Sequence, residues 1–333
     1  MRRQGRSAQR GYVLVMVLVA LAVMALVAQR FAQRNDDLRR NALDFDRYAQ
    51  ARAATQGALA ATLYWNATRP LMPAGRGTLD QQLRHDGQVY LTVDEARVAV
   101  QDYRGLLSIN GASRSMLRNL LVLDGVSLSR AQAMTDVLDD YIDTDSLKHI
   151  NGAERPEYQA LGLPGPANDW IVSLQELQGM PLWRDDVALL ARWAPLFSTD
   201  FGHIMNPATA PLPVLKALFP NANAAQLQLV QTLRRSDQLR DIRSAQRLTG
   251  LPFHEDEHLL APGPESRVTV WAPGLPRAHE YNIRLTSAGE LGPWVITEQH
   301  SITRRPFIDE APPTLPFPLA LRPRTAAADR PAP

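Results

Sequence analysis

Seventeen consecutive uncharged residues, Tyr12 to Ala28, lie almost at the start of the chain, and nearly all are apolar. As a helix rising about 1.5 Å per residue they span roughly 26 Å, enough for the hydrocarbon core of a bilayer. Arg2, Arg3, Arg6 and Arg10 precede them with no acid among them, which favours a cytoplasmic N-terminus. A cleaved secretory signal has a shorter apolar core that ends at a small-residue site. Here the helical spacing runs on through Leu38, Ala42, Phe45, Ala49, Leu59 and Leu63, and no proline occurs before Pro70. The pattern predicts one helix from about Tyr12 to Tyr64, membrane-embedded in its first part and amphipathic in its second.

The charge is unevenly placed. The chain has 36 basic and 34 acidic residues, and four of the basic ones sit in residues 1–11. The remainder has 32 basic against 34 acidic, a balance of −2, so the body has no general attraction for nucleic acid. There is no cysteine, which excludes disulfides and thiolate metal sites.

Arg10-Gly11-Tyr12 places a glycine directly before the apolar run. A short basic leader, that glycine, and a helix continuing into an amphipathic stretch resemble a type IV prepilin-like signal. In that class a prepilin peptidase cuts after the glycine and the apolar segment is kept. The resemblance implies Gly11 as the last leader residue and Tyr12 as the mature N-terminus. Pilin-like proteins mostly carry Glu at the fifth mature position, where this chain has Met16. In a bundle of apolar helices an unpaired buried charge is expensive, so that glutamate pairs with the N-terminal ammonium of the subunit ahead. A subunit with nothing ahead of it has no ammonium to neutralise, and Met16 suits such a tip position.

Alternating segments follow. Gln88–Val93 and Ala96–Tyr103 predict a hairpin through Asp94 and Glu95, and Arg267–Trp271, Glu280–Ser287 and Pro293–His300 predict three later strands. Between them, about Leu106 to Leu260, the pattern is helical. The expected fold is α+β: a long N-terminal helix packed on a small antiparallel sheet, with a large helical domain of helix-hairpin-helix or SAM-like type inserted between strands. The expected divisions are a leader (1–11), a transmembrane part (12–28), helix and first strands (29–105), the inserted domain (106–262), closing strands (263–305) and a tail (306–333). Eight of the tail's 28 residues are proline, which argues against regular ladders there.

The insert carries an internal echo, with "INGAS" at Ile109 and "MNPATA" at Met205. Asn110 and Asn206 are expected to cap helices or form Asx turns. "LDGVSLSRA" (Leu123–Ala131) reads as a helix-hairpin-helix turn bent at Gly125, and Ser127 stands where DNA-binding examples often have a second glycine. A membrane-tethered DNA-binding protein is the first rival this raises. Asp139, Asp140, Asp143, Asp145 and Glu154 crowd a helix end and the following Asn-Gly loop, oxygen donors of the kind calcium takes. "HEDEH", His254 to His258, matches a zinc-hydrolase pattern in which both imidazoles share a helical face and Glu255 is the base. Pro252 and Pro262 leave that helix nine residues at most, so a loop is the expected reading and an enzyme is not.

The non-acidic Met16, the "DYIDTD…NGAERPEY" loop, "SLQELQGM" (Ser173–Met180) and the split sheet together resemble the minor pseudopilin K family of the type II (general) secretion system. The resemblance implies assembly with I-type and J-type minor pseudopilins and the major pseudopilin at the tip of a periplasmic pseudopilus. It also implies an inner-membrane anchor and support for export of folded proteins. Calcium at Asp143, Asp145 and Glu154 is carried over on the same pattern. Two departures stand in that loop: Tyr141 where the family often has Trp, and Lys148-His149 inside it.

Overall fold

The computed structural model describes residues 9–286, 292–302 and 314–318. Residues 1–8 of the expected leader (1–11) and most of the expected tail (306–333) lie outside the described residues. Helix α1, Gln9–Thr68, is a single uninterrupted element. Its side chains are exposed from Tyr12 to Gln50. From there one stripe is buried: Ala51, Thr55, Ala58, Thr62 and Trp65. That spacing of three and four residues puts them on one face, and their small size lets the helix lie close against a sheet.

Three short strands follow the helix, β1 (Leu71–Met72), β2 (Gly75–Gly77) and β3 (Gln82–Arg84), forming a small meander that the sequence pattern missed. Next come β4 (Asp86–Leu91) and β5 (Arg97–Asp102), the expected hairpin, with Tyr90 opposite Val98 and Glu95 in the left-handed region at φ 59°. The insert holds β6 (Leu107–Ser108), α2 (Arg114–Leu123), α3 (Leu128–Ile142), α4 (Arg155–Ala160) and α5 (Val187–Trp193). It continues with β7 (Phe197–Ser198), α6 (Leu212–Leu218), α7 (Ala224–Arg235) and α8 (Ile242–Thr249). Then β8 (Glu265–Trp271), β9 (Ala278–Leu285), β10 (Trp294–Ile302) and β11 (Leu315–Pro316) complete the sheet.

The main sheet has six strands in the order β10-β9-β8-β5-β4-β11. Two expectations are corrected here. The sheet is mixed, because β11 runs parallel to β4, and the proline-rich tail does contribute a ladder. Pro316 has no N–H to give, which suits an edge position. Phe317 donates its N–H to Leu91 and buries its ring edge-on against Trp65 and Tyr90, an anchor that composition alone does not reveal.

Each strand alternates its faces. Val98, Val100, Val268 and Val270 face α1 and form one core with Trp65, Leu83 and Phe317. A second, larger core lies inside the insert around Leu117, Leu138, Tyr158, Trp183 and Trp193. The insert leaves from β5 and returns at β8, and these strands are antiparallel neighbours with Asp102 opposite Ser266. A domain whose entry and exit lie side by side disturbs the host sheet little.

Asp102 closes that junction. Its fully buried carboxylate accepts hydrogen bonds from the backbone N–H of Gly263 (2.9 Å) and Arg104 (3.2 Å), from Asn206 Nδ2 (3.1 Å) and from Thr209 Oγ1 (2.9 Å). Arg267 of β8 reaches across to the carbonyls of Pro195 and Phe197, at 3.1 and 2.9 Å. The entering chain, the returning chain and the insert's interior are therefore tied at one point.

Candidate functional site

Two features carry chemistry, the exposed apolar helix and the acidic loop. In α1 an 18-residue window has mean hydropathy 2.6 and none of it is buried. Among the described residues this is the one helix long and apolar enough to cross a membrane. Tyr12 and Met16 both lie on it, exposed, and Gly11 is within the helix. Exposed Phe31, Leu38, Phe45 and Tyr48 extend the unpartnered apolar surface beyond the uncharged run.

The acidic loop is built by the helix hairpin. Gly125, at φ 94°, makes the turn after α2, and the Ser127 hydroxyl accepts from Arg130 N–H to start α3. Val126 and Ala131 are buried, as the hairpin reading expects. Asp124 within this turn accepts from Arg192 (3.0 Å) and Trp193 Nε1 (2.8 Å), so the loop's acid is engaged by its own domain. The "SLQELQGM" segment has a definite role beside it. Glu176 Oε1 accepts from the N–H groups of Val172 and Ser173, and Glu176 Oε2 accepts from Tyr141 Oη at 2.9 Å. That motif pins the end of α3.

At that end Asp140 is fully buried, and it is the residue around which the loop closes. It accepts from His149 N–H at 3.0 Å and from the His149 ring Nδ1. Ligand atoms of Asp140, Asp143 and His149 lie within 4.8 Å of one another. Asp143 Oδ1 and Glu154 Oε1 are buried with no hydrogen-bond partner. Burial raises the Asp143 carboxyl above its ordinary value, and Asp145 and Asp140 add to the rise. Glu154 is raised by burial first and then by Asp140, Asp143 and Asp145. Asp145 itself is turned to accept from Leu147 N–H at 2.7 Å. His149 is raised by its hydrogen bond to Asp140. Of the three expected ligands, Asp143 lies within the cluster, Glu154 is electrostatically joined to it, and Asp145 sits at its rim. Its centre is Asp140, which sequence reading counted in the crowd but not among the ligands. Gly152 carries the missed signal: a Cβ there would stand 1.9 Å from Asp140 Oδ2.

Other expectations need correction. Asn110 caps no helix. It ties together distant loop segments of the insert, donating to the carbonyls of Ile171 and Thr199 (both 2.9 Å) and accepting from Ile171 N–H. Asn206 does form an Asx turn onto Ala208 N–H. The loop expected for "HEDEH" is found: it is a turn, not a helix. His258 is buried against Phe219 and Phe253, its Nδ1 accepts from His254 N–H, and burial pushes its pKa down to about 4. Glu255 is ion-paired with Arg243 at 2.9 Å. An imidazole already used to close its own turn, and a glutamate held by an arginine, do not make a zinc-hydrolase centre.

A long N-terminal helix, apolar then amphipathic, is packed on a sheet into which a helical domain is inserted, an α+β architecture. Residues 96–196 match the family model described as "Type II secretion system (T2SS), protein K". The resemblance read from the sequence therefore holds over the stretch containing both the acidic loop and "SLQELQGM". The chain is also similar to a chain in the crystal structure of the GspK-GspI-GspJ complex from the enterotoxigenic Escherichia coli Type 2 Secretion System. Identity there is 18%, with 81% of this chain and 99% of that chain covered and a TM-score of 0.49. No curated protein matches the sequence.

Proposed function

We propose that this chain is a K-type minor pseudopilin of a type II secretion system, a non-catalytic assembly protein that supports export of folded proteins across the outer membrane. The match over residues 96–196 carries this reading, and the exposed apolar helix on the same chain supports it. On this reading prepilin peptidase cuts after Gly11. Residues Tyr12–Ala28 first anchor the protein in the inner membrane, N-terminus cytoplasmic, with the bulk periplasmic. The same helix then packs among those of I-type and J-type minor pseudopilins and the major pseudopilin. The insert's bulk and the apolar Met16 fit a subunit with none stacked above it.

Calcium belongs to the same proposal. The residues present fit a hard cation, since several carboxylates converge and Asp143 and Glu154 each leave a buried oxygen without a partner. Asp140, Asp143 and Glu154 would hold it, with Asp145 at the rim. The ion would offset their mutual repulsion and fix the loop.

Full-length protein extracted from membranes with its I-type and J-type partners should co-purify with both in a defined complex, and absence of that complex would overturn the assignment. Mass spectrometry of the same preparation should find Tyr12 at the N-terminus. Substituting Met16→Glu should reduce pseudopilus tip assembly and secretion. Unchanged secretion would sink the charge argument while leaving the family assignment intact.

A further inference from the structure

The sheet face turned away from α1 does not meet the insert along its whole length. A cavity of about 690 Å³ lies between them. That volume suits a small organic group, and such pockets combine an apolar lining with a few convergent polar atoms. Both kinds of wall are present. Leu174 and Leu190 of the insert line one side, and Asn282 of β9 with Glu298 and His300 of β10 line the other.

The polar wall has acceptors without donors. Asn282 is 9% exposed. Its Nδ2 donates to Glu298 Oε2 at 2.7 Å, which fixes the amide's orientation, because a flipped amide would set oxygen against oxygen. Asn282 Oδ1 is thereby left buried with no hydrogen-bond partner. His300 Nε2 lies 2.9 Å from Glu280 Oε1, so the ring proton belongs there and Nδ1 of the neutral imidazole is a second acceptor. It too is buried without a partner. Glu298 Oε1 stands 3.9 Å from that nitrogen, too far for a hydrogen bond.

The other charges around the cavity are already engaged. Arg267 is held by Glu280 at 3.3 Å and by the carbonyls of Pro195 and Phe197. Asp86 is held by Arg84 at 2.6 Å and Arg234 at 3.7 Å. Glu298 has only the Asn282 amide within hydrogen-bond distance. An incoming group therefore needs several N–H donors, one positive charge and an apolar stem. A water molecule brings donors but neither charge nor stem. An ammonium is a point charge, whereas a guanidinium spreads its donors in a rigid planar fork that can serve neighbouring acceptors together.

We propose that this cavity binds a guanidinium carried on an aliphatic stem. The head sits on Glu298, Asn282 Oδ1 and His300 Nδ1, and the stem lies against Leu174 and Leu190. A free alkylguanidine and an arginine side chain presented by another protein share that chemistry.

The test is calorimetric titration of full-length protein in an uncharged detergent. Mildly alkaline pH favours the neutral His300 ring, whose pKa is raised by its hydrogen bond to Glu280. Butylguanidinium should bind about tenfold or more tightly than butylurea, its planar uncharged analogue. Glu298→Gln, on the partly exposed edge strand, should weaken butylguanidinium by about the same factor and leave butylurea unchanged. Asp256→Asn, exposed and off the cavity wall, should change neither. Ala191→Trp, exposed on α5, narrows the cavity from the insert's side and should weaken both. Unfolding curves without ligand check that each variant folds like the parent. The tripeptide acetyl-Leu-Arg-Leu-amide separates the two sources: tighter binding than butylguanidinium assigns the site to a partner's arginine, weaker binding to a free small cation. Four results would overturn the proposal: no binding of either guanidinium probe, equal affinity for butylguanidinium and butylurea, a preference that survives Glu298→Gln, or indifference to Ala191→Trp.

Discussion

Asp102→Ala is expected to destabilise the protein by about 3–5 kcal/mol, the range for stripping one side from a buried, fully bonded charged site. The substitution takes the carboxylate acceptor from the N–H groups of Gly263 and Arg104, and leaves Asn206 Nδ2 with the carbonyl of Pro73 and Thr209 Oγ1 with that of Asn206. Asp102→Asn keeps one acceptor oxygen and should cost about 1–2 kcal/mol, because its amide must then face Asn206 Nδ2 or a backbone N–H. The two variants also separate packing from charge. Burial pushes the Asp102 carboxyl up to about 6, with its four donors pulling the other way. A carboxyl raised in the folded state contributes stability that is full below its unfolded value near 3.8 and is lost as pH rises through about 6. Over that window the contribution is roughly 3 kcal/mol at most. Thermal or denaturant unfolding of the parent and Asp102→Asn, compared between pH 4 and 7, should show the difference between them shrinking as pH rises. A constant difference would mean the carboxylate is fully compensated by its donors. A small effect of Asp102→Ala would mean the junction is held elsewhere.

What could be read ahead of the structure follows physical range. The long helix was legible because its pattern is local and periodic and because no proline interrupts it before Pro70; the small residues Ala51, Thr55, Ala58 and Thr62 then set its closeness to the sheet. The strands that alternate cleanly, β4, β5 and β8, were legible for the same reason. The meander of β1 to β3 was not, since strands of two or three residues hold no period. Long-range partners were equally hidden. Asn110 looked like a local cap because its neighbours resemble one, yet it serves carbonyls at positions 171 and 199. Phe317 sits among prolines, and only its contact with Trp65 turns that stretch into an edge strand. "HEDEH" was legible as a loop from Pro252 and Pro262, whereas the burial of His258 in an aromatic pocket, with its Nδ1 holding the turn, was not.

The acidic loop gives the other large expected effect, and the structure fixes its sign. Without a cation, Asp143 and Glu154 have carboxyls raised by burial and by each other's neighbours, so their contribution to stability is present at low pH and lost as pH rises through their folded values. Asp143→Asn and Glu154→Gln should therefore leave chelator-treated protein no less stable at pH 7, or raise its stability. A bound calcium reverses the balance, because it needs those charges. At free calcium of about 100 times its dissociation constant the gain is about 2.7 kcal/mol, which for a unit of the insert's size raises its melting temperature by roughly 5–10 °C. Both neutralising variants should lose this rise. Gly152→Ala tests the site from its backbone side: the new Cβ would sit on Asp140 Oδ2 and force the central carboxylate aside. It should lower stability in chelator and abolish the calcium response together, whereas Asp143→Asn and Glu154→Gln abolish the response alone. Calorimetry of full-length protein in chelator and then in calcium distinguishes these patterns. If calcium shifts nothing in the parent protein, or if the neutralised variants are the less stable ones in chelator, the buried oxygens of Asp143 and Glu154 serve the fold through His149 and its neighbours, not through an ion.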